Sequence, residues 1–245
     1  MLRHTKILAF PFRVVAAKLG RVKCVITAGP TYEPLDEVRR LTNFSTGKLG
    51  TELATFLTRQ GHEVVLLIGY YATHRVESKA GIVETFTTTA DLGARLRALS
   101  KPDVGAVFHA AAVSDFTFGG VWEQNADGEL IRCAQRKIST RAGKLLAELR
   151  PTPKIISELR GWFPEACLVG WKYELDGDRS RVLQAAEQQI GNNRTNACVA
   201  NGAAYGDGFG LVTGSGRCEH LADAPELYCA LAGLLRDRAG AGGRA

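Results

Sequence analysis

The 245-residue chain is 45% hydrophobic and 23% charged, enough to bury a full core, and a doubly wound α/β domain reaches this size alone, so one domain is expected. Its net charge of +6 comes from 31 Lys and Arg scattered among 25 Asp and Glu, a distribution that argues against a nucleic-acid surface and for an electropositive cleft taking small anions such as phosphates. Six cysteines (Cys24, Cys133, Cys167, Cys198, Cys218, Cys229) show no CxxC pair or zinc-ligand spacing, and no apolar run approaches the ~20 residues of a membrane span, so a soluble, cytoplasmic protein with reduced thiols is expected.

In chain order, residues 1–21 are basic, with an apolar patch at Ile7–Phe10 cut by Pro11, and read as an extension outside the core. Val22–Ala28 is the first strand. After a long polar connection, Thr46–Gln60 sets Leu49, Leu53, Phe56 and Leu57 on one helical face, and Gly61 ends that helix. Glu63–Gly69 and Ile82–Phe86 are strands, Asp91–Leu99 is a helix capped by Thr89 or Asp91, and Val104–Ala111 is a strand. From Ser114 to Pro153 the periodicity fades into a loop-rich excursion, the place for function.

Alternation then resumes with helix Lys154–Arg160, strand Cys167–Lys172, helix Ser180–Gln189, strand Ala197–Ala200, a hairpin across Phe209–Leu221 and helix Ala224–Arg236. The Gly-rich residues 238–245 read as a disordered tail. This rhythm predicts a single doubly wound, mostly parallel, Rossmann-like three-layer α/β domain over residues 22–237 with one flap-like excursion.

The stretch Thr27–Gly50 (TAGPTYEPLDEVRRLTNFSTGKLG) joins the first strand to the first long helix, so it belongs at the carboxyl edge of the sheet, where such folds bind ligands. Gly29 and Gly47 allow close backbone approach. Ser45, Thr46 and the free amides of the helix start offer donors to a phosphate or carboxylate. A nicotinamide-dependent reductase would use a compact G-x-G-x-x-G turn, whereas here the glycines are split by a long insertion, and no Tyr precedes a Lys by four residues.

The residues of that stretch resemble the phosphopantothenate-cysteine ligase (phosphopantothenoylcysteine synthetase) family. Its G-x-T-x-E-x-I-D and V-R-x-I-x-N-x-S-S-G-x-x-G patterns meet Gly29, Thr31, Glu33, Leu35, Asp36, Val38, Arg39, Leu41, Asn43, Ser45, Thr46, Gly47 and Gly50 in order. HAAAVSDF (His109–Phe116), the Arg136-Lys137-Ile138 loop, VGWKYELD (Val169–Asp176) and CVAN (Cys198–Asn201) extend the likeness. The resemblance implies a stand-alone ligase using ATP or CTP with Mg²⁺, through an acyl-nucleotide intermediate.

It also implies roles. Asn43 and Lys137 are the catalytic pair, Asn43 hydrogen-bonding the activated acyl group and Lys137 closing over the phosphates. Arg39, Asn43, Ser45, Thr46 and Gly47 hold substrate, Arg39 either bracing the loop or meeting the phosphate of phosphopantothenate. Gly29, Thr31, Ala111, Ala112, Asp115, Lys137, Trp171 and Asn201 face the nucleotide, Asp115 reaching it or its metal and Trp171 walling base or ribose. The family further implies a homodimer and a separate decarboxylase for the next step.

Gln189 and Asn193 stand where bacterial members carry two lysines, and Ser139 replaces the second lysine of the loop, so the nucleotide stays open between ATP and CTP. The absent lysines motivate a third reading, a non-catalytic relative that binds nucleotide.

Overall fold

A computed structural model describes residues 20–74, 80–133, 137–138 and 144–241, with side chains to Arg236. Most of residues 1–21, together with Arg136 and Ser139, lie outside the described residues.

Strand β1 (Lys23–Ala28) is the central element, and its alternate side chains feed both faces of the sheet. Cys24, Ile26 and Ala28 turn to the layer holding α1 (Lys48–Arg59) and α5 (Ala224–Ala241). Val25 turns to the opposite layer, where α2 (Thr89–Ala98) and α3 (Ile155–Trp162) cover it. Burial on both faces explains the near-continuous apolar runs of β4 (Glu63–Gly69), β6 (Val104–His109) and β10 (Cys167–Tyr173). With β5 (Ile82–Phe86) and β11 (Ala197–Asn201) they are joined in parallel.

Strands β12 (Phe209–Thr213) and β13 (Cys218–Leu221) add an antiparallel edge, giving the order β13-β12-β11-β10-β6-β1-β4-β5. The fifteen-residue α4 (Arg179–Asn193) covers β11 through Val182, Ala186 and Ile190. In α1, Leu53 and Leu57 are fully buried, each contributing about 1.5–3 kcal/mol. Chain progression from β1 runs first toward β5 and then returns past β1 to β6, so the topological switch lies between β1 and β6.

Several expectations needed correction. The excursion is not loop-rich: β7 (Phe116–Gln124), β8 (Leu130–Arg132) and β9 (Lys144–Pro151) form a three-stranded antiparallel sheet. Its strands show little inside-outside alternation, since Leu145, Leu146 and Leu149 of β9 are all exposed, and so the period-2 signal was missing. The polar connection after β1 holds a short hairpin, β2 (Tyr32–Pro34) with β3 (Arg40–Thr42). The cap of α2 is Thr88, whose hydroxyl accepts the Asp91 N–H, rather than Thr89 or Asp91. Helix α5 continues through Ala241, into the stretch read as a tail.

Candidate active site

The ends of β1 and β6 are laced together. Ala112 N–H donates to the Gly29 carbonyl at 3.0 Å, and Thr31 N–H donates to the Ala112 carbonyl at 3.1 Å. Onto that same carbonyl the side-chain amide of Asn43 donates at 3.2 Å, while the residue is otherwise exposed. Asn43 therefore stands over the switch point, with half-buried Ala111 and Ala112 as the surface beneath.

Gly29 and Gly47 both have φ of 78°, a left-handed conformation that favours glycine. The space beside them serves packing, because a Cβ would come 2.8 Å (Gly29) or 3.1 Å (Gly47) from the Ala72 methyl. Gly47 caps α1 without a side-chain hydrogen bond, and no acidic residue occupies the first turn. The Thr46 hydroxyl accepts Lys48 N–H at 3.2 Å, and Ser45 is half-buried beside it. Such a helix start, positive and with only the Lys48 amide met by a side chain, suits an anion.

The Lys137 strap is pinned by a neighbour that the sequence reading gave no role. The Asp36 side chain, 2% exposed, accepts Arg39 Nε at 3.1 Å and Nη2 at 2.5 Å, and accepts the Ile138 N–H at 3.1 Å. Arg39 Nη2 donates in turn to the Ile138 carbonyl at 2.7 Å. The guanidinium beside Asp36 holds its carboxyl well below the usual carboxylate range. Arg39 is thus engaged in bracing, and Lys137, adjacent to buried Ile138, is exposed.

Thr31, expected at the nucleotide, is fully buried. Its hydroxyl accepts Ser114 N–H at 2.8 Å and lies 3.3 Å from the Thr89 hydroxyl, so it braces the floor from below. Asp115 is exposed at the root of the flap sheet and paired with Lys154, an equally exposed partner that a ligand can displace at little cost. Trp171 near the end of β10 and Asn201 at the end of β11 are half-buried, on the face that α1 and α5 cover.

Gln189 points inward: its amide donates to the Trp171 carbonyl at 3.1 Å, and its Oε1 accepts the Cys198 thiol at 2.9 Å. Asn193 donates back to the Gln189 carbonyl at 2.8 Å. A cation on the strand, Lys172, is close enough to act on Cys198, whose thiol burial pushes up to about 12 against that charge. Lys172 pairs with Glu174 at 2.9 Å.

A second overlooked residue is His109. Its Nδ1 lies 2.9 Å from the Thr27 hydroxyl, which accepts the Ala111 N–H at 3.1 Å, so the pair fixes the strand end from behind. Burial lowers its pKa to about 4, leaving a neutral imidazole. Its position in the HAAAV run was visible, but an aromatic ring at the end of an apolar strand carries no signal of its partner.

Among the described residues no helix is long and apolar enough to cross a membrane, and no group of three His, Cys, Asp or Glu side chains could cage a metal.

The pattern of the family described as DNA/pantothenate metabolism flavoprotein C-terminal domain matches residues 19–218. The coenzyme A biosynthesis bifunctional protein CoaBC of Bacillus subtilis (strain 168) is 32% identical over 200 residues, covering 81% of this chain and 46% of its own length. Phosphopantothenate-cysteine ligase 2 of Oryza sativa subsp. japonica is 29% identical over 253 residues, covering 82% of this chain and 74% of its own. The crystal structure of the DNA/pantothenate metabolism flavoprotein from Streptococcus pneumoniae superposes with a TM-score of 0.77 at 25% identity, over 89% of this chain and 100% of that one. The chain spans about half the length of the bifunctional bacterial relative. With the pattern matched over most of its length and the three-layer fold shared, the chain belongs to the phosphopantothenate-cysteine ligase family.

Proposed function

We propose that the chain joins 4′-phosphopantothenate to L-cysteine, using ATP or CTP. A carboxylate resists attack by an amine, so its oxygen first attacks the α-phosphorus of the nucleotide, forming an acyl-nucleotide and releasing pyrophosphate. The cysteine amine then attacks the acyl carbon, loses a proton, and the nucleoside monophosphate leaves. Both partners in the first step are anionic, and positioned donors must offset their repulsion.

The observation that carries this reading is Asn43, tethered over the switch point by the Ala112 carbonyl. Its uncharged carboxamide supports an acyl group without trapping it as a salt. The positive start of α1, with no acidic residue in its first turn, takes a phosphate or carboxylate of the substrate. Lys137, on a strap that Asp36 and Arg39 hold, supplies a mobile positive charge for the phosphates.

Mg²⁺ would neutralise charge on the triphosphate. Exposed Asp115 fits it as a single carboxylate contact, in keeping with an ion that keeps its waters and binds through phosphates. The exposed leucines of the flap sheet suit a homodimer, and the cysteinyl carboxylate of the product calls for a separate decarboxylase.

The test is pyrophosphate release by purified protein with phosphopantothenate, cysteine and Mg²⁺, run with ATP and with CTP. Sustained release that requires both organic substrates is expected, with no more than a single turnover when cysteine alone is omitted; sustained release that ignores either one overturns the reading.

A further inference from the structure

The start of α1 carries a charge that works against the helix. Lys48 is its first residue, where the helix dipole already concentrates positive charge, and its partner Glu52 lies one turn later. In an isolated helix the favourable order is the reverse, with the acid nearer the N-terminus. The pair is also loose: Lys48 Nζ stands 4.0 Å from Glu52 Oε1, and the lysine is largely exposed. Such a contact is worth little to stability, so Lys48 can leave it for an anion at little cost.

A carboxylate given up by Lys48 needs another partner, and one is in place. His74, on the loop after β4, donates its backbone N–H to the Thr46 carbonyl at 3.0 Å. Its ring Nε2 is buried, has no hydrogen-bond partner and lies 3.7 Å from the same Glu52 Oε1. The other carboxylate oxygen, Oε2, accepts the Tyr228 hydroxyl of α5 at 2.9 Å, so Glu52 has one oxygen anchored and one to share. An imidazole with its proton on Nε2 donates without carrying charge. A shift of under about 1 Å closes the gap to a hydrogen bond.

The same turn holds a second unsatisfied group. Thr51 is 2% exposed, its N–H closes the first turn onto the Gly47 carbonyl at 3.1 Å, and its hydroxyl has no partner. Its Cα–Cβ bond tilts toward the helix start, as every helical Cβ does. Buried polar groups are ordinarily satisfied, so two orphans around one helix start mark a place that a ligand completes.

We propose that Glu52 is a counter-ion shared by Lys48 and His74: an anion arriving at the start of α1 draws Lys48 away, and His74 takes over Glu52. His74 is thereby a positioning residue that sets affinity for the anionic substrate without touching it. The assignment rests on the ligase reading for the identity of the anion and goes beyond it in naming what readies the cation.

The test titrates the full chain with phosphopantothenate, ATP and CTP by calorimetry, and separately measures KM and kcat by pyrophosphate release. His74→Phe keeps a ring and deletes the donor. It is expected to weaken binding of the ligand seated at α1 roughly tenfold and to raise its KM alike, with kcat nearly unchanged. His74→Gln offers an amide N–H at the reach of Nε2 and is expected to restore binding. Glu52→Gln still accepts from Tyr228 but no longer holds Lys48 by charge, so adding His74→Phe to it is expected to cost nothing further. An equal loss in both backgrounds would overturn the proposal, because a packing role for the ring does not depend on the Glu52 charge. Lys48→Gln changes an exposed residue that folding does not need, and so tests the cation even where a variant of His74 unfolds. Wild-type affinity for all three ligands in Lys48→Gln would overturn the proposal too, as would a wild-type chain that binds none of them. A wild type whose binding depends on His74 yet which releases no pyrophosphate would sink the ligase reading and leave this one standing.

Discussion

Asn43 is held by one hydrogen bond and is otherwise open to solvent, so a change in its charge acts on the ligand more than on the fold. Asn43→Asp replaces a donor by a carboxylate beside the Ala112 carbonyl and, under the proposed function, beside the acyl group. Turnover is expected to fall by at least 100-fold with the unfolding midpoint shifted little, measured by pyrophosphate release and calorimetry. Asn43 was singled out through the resemblance of its stretch, from Val38 to Gly50, to the V-R-x-I-x-N-x-S-S-G-x-x-G pattern. What the sequence hid is how partners consume side chains. The Thr31 hydroxyl is taken by Ser114, the Arg39 guanidinium by Asp36, and the Gln189 amide by the Trp171 carbonyl, each across 18 or more residues or, for Arg39, across a tight turn.

At the scale of elements, the strands of the main sheet were legible because burial on both faces demands unbroken apolar runs. The flap sheet was not, since a sheet whose leucines face solvent in the single chain leaves no alternation to read. The strap bearing Lys137 depends on contacts rather than on regular structure, which separates two variants. Lys137→Gln removes charge but leaves the pin, so a fall in kcat with unchanged protection of the Ile138 amide is expected. Asp36→Asn weakens the pin through loss of the Arg39 ion pair, so both lower activity and faster hydrogen exchange at Ile138 are expected. Exchange at Ile138 distinguishes them.

For the whole molecule, acid stability follows from His109. Burial holds its pKa near 4, below the ordinary 6.5, so the unfolded chain binds the proton first. The neutral ring's contribution is complete above about pH 6.5 and is lost as pH falls toward 4, a difference of about 3 kcal/mol. Urea unfolding at pH 7 and pH 4.5 is expected to show a larger loss for wild type than for His109→Gln. Phe116, Leu130, Ile131 and Leu149 leave apolar surface exposed on the flap strands, and light scattering is expected to give twice the mass of 26.4 kDa.

The flap strands leave and rejoin the main body at a single doorway. Phe116 pairs with Pro151, Thr152 N–H donates to the Asp115 carbonyl at 2.9 Å, and the Thr152 hydroxyl donates to the Ser114 carbonyl. An appendage whose two ends touch is topologically an insertion. Evolution could lengthen, shorten or exchange it without reregistering any strand of the platform, and a protein engineer could graft another in its place.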